Sequence, residues 1–177
     1  MLYIIAQCVG FLGYLFYISA PQCHEKTKII AIDSIALVLL CTQWVLLSQP
    51  TLITLTILNL GVSIYVLSKS HQSKYAISYI YAIGCTAIIT VSILFPSSLH
   101  IDSLCLMAFF CLVGAKTSDD IVIFRTLSAV TGTLCAIAAL AAFSVPAFLF
   151  NVAFTFIHVI KVTAHNSTDK MTAFSGS

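Results

Sequence analysis

The chain has 177 residues, of which 60% are hydrophobic and only 8% charged, and its net charge is +2. Soluble domains carry about 25% charged residues, so this composition excludes a cytosolic enzyme, a nucleic-acid binder and a disordered chain. The small net charge implies no polyanionic partner.

A bilayer core about 30 Å thick needs roughly 20 apolar residues in helical form, and seven runs come close to that length. Helix is the expected state of each, because lipid offers open backbone groups no partner. The first run, residues 2–19, has no basic residue before it and no small-x-small cleavage site after a short core. It reads as a retained helix and not as a signal peptide. A polar loop follows, with Cys23, His24, Lys26 and Lys28. The second run, 29–48, carries Asp33 about one turn past its start, Gln43, and Trp44 one turn from its end. The tight turn Ser48-Gln49-Pro50 leads into the third run, 51–68. Asn59 lies there about 13 Å from the helix start at 1.5 Å per residue, near the midplane. A polar loop, 69–74, precedes the fourth run, 75–95. The fifth, 99–115, is the weakest, being short, with His100 and Asp102 at its start and the polar loop 116–120 after it. The sixth, 121–143, contains Arg125, and the turn Ser144-Val145-Pro146 joins it to the seventh, 147–163. Asn151 is about 7 Å into that last helix, and His158 lies one turn before Lys161. A small, polar tail, 166–177, is expected to fray into the cytoplasm.

With seven crossings, the loops after the first, third and fifth helices share a side with the C-terminus. That side collects all eight Lys and Arg residues: Lys26, Lys28, Lys69, Lys74, Lys116, Arg125, Lys161 and Lys170. Positively charged loops stay cytoplasmic, which places the N-terminus outside and the C-terminus inside.

Displaced by about 96 residues, the layout repeats: helix, basic loop, helix, Ser-x-Pro turn, helix. The expected architecture is an all-α membrane protein of three plus one plus three helices. Two parallel three-helix repeats (1–70 and 99–165) are joined by a linking helix with its flanks (71–98). Parallel repeats are a known transporter design, with the solute held near the midplane between them.

The basic loop after the first helix, the short turn before the third, and the recurrence of both after the fifth resemble the YgjV-like bacterial inner-membrane proteins. These belong with the SWEET, SemiSWEET and PQ-loop group. The likeness spans about residues 1–165, and Pro21-Gln22 is similar to the dipeptide that names the PQ-loop proteins. The resemblance implies residence in a bacterial inner membrane and transport of a small solute by alternating access. It also implies a solute-facing asparagine on each of the third and seventh helices, Asn59 and Asn151 here.

An amide suits a hydroxylated solute because it both donates and accepts. The bland alternative is an interhelical hydrogen bond worth about 0.6–2 kcal/mol. Trp44 is read either as a stacking surface for the solute or as an interfacial anchor. Asp33 and Arg125 sit inside apolar runs, where a central charge costs about 2.5–3.5 kcal/mol. They are expected to face each other or a shared cytoplasmic vestibule and to act as an inner gate or contact an anionic group, unless Arg125 snorkels to the interface. His158 is a candidate for proton coupling, with a packing role as the alternative. In Thr117-Ser118-Asp119-Asp120, Thr or Ser is expected to cap the sixth helix while the aspartates oppose its dipole.

The seven cysteines form no CxxC pair, and the histidines show no metal-ligand spacing. No cofactor or metal is expected. No HExxH or serine–histidine arrangement suggests catalysis, so the chain is not read as an enzyme. The competing reading is a non-transporting receptor or assembly protein on the same fold. Expected partners are the lipid bilayer and a small polar solute, with no nucleic acid and with a homo-oligomer left open.

Overall fold

The fold was analysed in a computed structural model that describes residues 2–68, 74–96 and 99–175. It contains α1 (Leu2–Ser19), a 3-10 turn (Ala20–Gln22), α2 (Lys26–Leu46), α3 (Pro50–Ser68), α4 (Lys74–Leu94), α5 (Leu99–Thr117), α6 (Ile121–Ala141) and α7 (Val145–Ser175). All seven α-helices are long and apolar enough to cross a bilayer, and the chain is an integral membrane protein. Most of the basic loop expected over 69–74 lies outside the described residues, as does the side chain of Lys170.

Helix ends follow backbone capping and not the point where side chains turn polar. Glu25 is extended and α2 begins at Lys26, so Lys26 and Lys28 belong to its first turn and not to a loop. The cap of α6 is Asp120, whose Oδ1 accepts from the amides of Val122 at 2.6 Å and Ile123 at 3.2 Å. This corrects the expectation of a Thr or Ser cap. Thr117 is consumed by α5, where its hydroxyl donates to the Val113 carbonyl at 2.7 Å. Lys116 is likewise in the last turn of α5 and not in a loop. The segment expected as a tail continues α7 as helix through Ser175.

Six helices close a ring. Neighbours pack in the order α1, α2, α3, α5, α6, α7 and back to α1. α4 stands outside, against α3 and α5. The α1–α7 seam is aromatic: Tyr14 stacks on Phe150 at 5.5 Å and Tyr17 on Phe154 at 4.3 Å, contacts worth about 0.5–1.5 kcal/mol each beyond burial. The outward surface is apolar, with Ile4, Ile35, Ile64, Ile83 and Leu149 exposed, as lipid solvation requires.

The turns α2–α3 and α6–α7 share one backbone conformation. In the first, Leu47, Ser48, Gln49 and Ile53 amides donate to the carbonyls of Gln43, Val45, Trp44 and Gln49. Each bond recurs 95 residues on, through Ala142, Phe143, Ser144 and Phe148. Ser48 and Phe143 both have φ of 53°. The matching register is therefore one residue shorter than the proline alignment suggests, because Pro50 opens α3 while Pro146 is the second residue of α7. A left-handed residue that is not glycine costs about 1–2 kcal/mol, against about 0.5–1 kcal/mol for glycine's extra entropy. Ser48→Gly is therefore expected to raise stability by about 0.5–1 kcal/mol in denaturant unfolding of the detergent-solubilised protein. An unchanged or lowered midpoint would show that the turn holds no such strain.

Candidate functional site

The side chain of Lys116 is the centre of the site. It continues the face of α5 that buries Phe109, Leu112 and Val113, and only 6% of the residue is exposed. Its ammonium donates to Asp33 Oδ2 at 2.6 Å, to Asn59 Oδ1 and to Ser63 Oγ. Asp33 comes from α2 and is also 6% exposed. Asn59 and Ser63 lie one turn apart on α3, and the Ser63 hydroxyl donates to the Asn59 carbonyl at 2.9 Å. An ammonium has three N–H donors, and these acceptors use all of them. Two buried charges thus neutralise each other inside the ring. The second carboxylate oxygen, Asp33 Oδ1, is buried without a hydrogen-bond partner among the described residues.

Two small cavities meet beside this cluster. One, of about 30 Å³, is lined by Asp33, Lys116, Ser128 and Phe124. The other, of about 50 Å³, is lined by Trp44, Tyr14, Thr56, Cys135 and Asn151. Tyr17, Asn59, Leu112 and Thr131 form walls common to both. A water needs about 10–15 Å³ of such space, so the two lobes have room for a few waters but not for a sugar-sized solute.

The structure brings Asn59, Asn151 and Trp44 to one lobe. Trp44 points into the ring and is buried. The Asn151 amide donates to the Ala147 carbonyl at 2.7 Å.

Asp33 and Arg125 do not face each other, contrary to expectation. Arg125 turns instead to the segment after α1, donating from Nη1 to the Pro21 carbonyl at 3.2 Å and from Nη2 to the Cys23 carbonyl at 3.0 Å. Asp33 pairs instead with Lys116. His158 is fully buried and lines neither lobe. Its ring lies 4.4 Å from Phe154 and 6.0 Å from Phe124, and neither ring nitrogen has a hydrogen-bond partner among the described residues.

Polar contacts close the ring above and below the lobes. At the end with the two short turns, Gln43 Nε2 donates to Ser144 Oγ at 3.0 Å, Thr51 Oγ1 to Asp102 Oδ1 at 2.7 Å, and the Tyr3 hydroxyl to the Phe143 carbonyl at 2.9 Å. At the basic end, Lys26 donates to the Ser118 carbonyl and Arg125 holds the 3-10 turn.

Sequence reasoning missed Lys116, Ser63 and Thr131. The available signal was spacing: Lys116 follows Phe109 by seven residues and Leu112 by four, and Ser63 follows Asn59 by four, which puts each pair on one helix face. Among the described residues, no group of three or more His, Cys, Asp or Glu side chains is placed to hold a metal ion. No family model matches the chain, and no curated protein or solved structure matches it.

Proposed function

We propose that the chain is a small-solute transporter of SWEET-like architecture, related to the YgjV-like proteins of the bacterial inner membrane. In this reading α1–α3 and α5–α7 are parallel repeats, α4 links them, and the N-terminus lies outside. The twin turns 95 residues apart and the collection of basic residues at one end support that arrangement.

The observation that carries the reading is the polar cluster at the centre of a closed six-helix ring. Ionisable groups inside a membrane are expensive, and they mark solute or ion pathways by default. Lys116 reaches across the α3–α5 seam to Asp33, Asn59 and Ser63, so the two groups of three helices meet at the site. Contacts at both ends tie the ring together above and below the lobes. Rocking that broke the Gln43–Ser144 layer would open the lobes outward, and breaking the Lys116 and Arg125 layer would open them inward. The paired charges cancel, and the unpartnered Asp33 Oδ1 offers one acceptor. The site therefore suits a neutral solute bearing hydroxyl or amide donors, with Trp44 as a flat apolar wall.

Uptake into proteoliposomes across a panel of sugars, nucleosides and vitamins tests this. One solute class is expected to enter. Asn59→Ala should cut its flux at least about tenfold, the effect of losing roughly 1.4 kcal/mol of binding, while Lys28→Gln on the exposed surface leaves it unchanged. The narrowness of the lobes favours a second reading, a non-transporting receptor or assembly protein. Absence of flux for every solute in the panel would select it.

A further inference from the structure

Arg125 is buried, yet its two hydrogen bonds go to backbone carbonyls. Among the described residues, no carboxylate lies within ion-pairing distance of it. A buried cation without an anion is strongly disfavoured, and this one borders a cavity of about 350 Å³ at the basic end. His24, Lys161 and His165 share that cavity, and Ile121, Val122 and Val162 supply apolar walls. Among the described residues, the lining contains no acid. Glu25 is engaged by Lys28 at 3.0 Å, and Asp120 by the first amides of α6, so neither neutralises the site.

We propose that this cavity binds the phosphate of an anionic phospholipid headgroup. The guanidinium and the Lys161 ammonium are placed to hold the phosphate oxygens, with the glycerol and upper acyl chain against the apolar wall. The position at a helix end puts the cavity at headgroup depth, where basic pockets between transmembrane helices recognise such lipids. The occupant supplies the missing counter-charge and clamps α6 and α7 to the 3-10 turn. This assignment does not rest on the lobes binding a solute, since the cavity shares no lining residue with them.

The full-length protein would be reconstituted in nanodiscs of phosphatidylcholine with or without phosphatidylglycerol, and lipid retained after detergent extraction read by native mass spectrometry. Phosphatidylglycerol should be retained over phosphatidylcholine, with the preference falling about fivefold for each cation removed in Lys161→Gln and Arg125→Gln. Lys28→Gln, on the same end but outside the cavity, should leave the preference intact. Lys161→Gln keeps both carbonyl bonds of Arg125, so it reports even if Arg125→Gln fails to fold. A parallel arm adds inorganic phosphate to the protein in phosphatidylcholine alone and follows thermal unfolding. Stabilisation by free phosphate equal to that by the lipid would assign a soluble anion and overturn the lipid. Equal retention of both lipids, or a preference that survives Lys161→Gln, would overturn the site itself.

Discussion

Lys116→Met is expected to destabilise the bundle by about 3–5 kcal/mol, the cost of breaking a buried ion pair by removing one partner. The loss arises from Asp33 and not from methionine, which fills the apolar part of the lysine volume. With the ammonium gone, Asp33 keeps a carboxylate with no donor in the ring, and Asn59 Oδ1 and Ser63 Oγ lose their shared donor. Adding Asp33→Asn should recover most of the stability, because replacing both members of a buried pair with neutral groups is often neutral or better. The check is a double-mutant cycle by denaturant unfolding in detergent. Additive losses would show that Lys116 and Asp33 are not coupled and would remove the cluster from the centre of the site. Flux separates the structural from the functional role. The double variant should fold and still fail to transport, because its amide is an uncharged, weaker acceptor and the ammonium that orients Asp33, Asn59 and Ser63 is gone.

The parts of this fold that were legible in the sequence are those the bilayer dictates. Seven apolar runs must be helices, and Pro50 must begin one. Asp33, Asn59, Asn151 and Trp44 could be located in depth from their distance to a turn. What depth does not give is helix rotation. In a soluble helix an apolar stripe marks the buried face, but α5 is apolar on every side, since one face meets protein and the other lipid. Lys116 therefore read as a loop cation beside Thr117 and Ser118, when it is buried on the face of Phe109 and Val113. The pairing of Asp33 was misread for a related reason. Its partner lies 83 residues away, across a seam between α3 and α5 that only the closed ring creates. Arg125 was correctly placed inside a helix, yet its partners are carbonyls of Pro21 and Cys23, which carry no sequence signature. Pro21-Gln22, noted for its likeness to a motif, thus has a local physical role: the chain turns there and presents a carbonyl to Arg125.

Gly10→Ala is expected to cost about 2–4 kcal/mol, combining overpacking of about 1–3 kcal/mol with loss of a buried hydrogen bond worth about 1 kcal/mol. A Cβ at Gly10 falls on the side-chain amide of Gln43. An exposed glutamine would swing aside at little cost, but Gln43 is fully buried and its Nε2 holds Ser144 Oγ at 3.0 Å. Moving the amide frees the start of α7 from α2 and strands the serine hydroxyl, which is itself buried. The glycine is therefore required by the close approach of α1 to α2, at the height where the two groups of three helices are tied together. Gln43→Ala alone should cost about 1–3 kcal/mol through the unpaired Ser144 hydroxyl. Gly10→Ala with Gln43→Ala should be less destabilised than the sum, because the new methyl enters space the amide vacated and contacting residues do not add. Thermal unfolding of the four proteins measures the coupling. If the two losses add, Gly10 and Gln43 do not compete for one volume. In the transport reading the same variants act on the outward layer. Gln43→Ala, which removes the tie without adding bulk, should ease outward opening and raise the reactivity of Cys135 toward a thiol reagent added from that side, since Cys135 lines the lobe below.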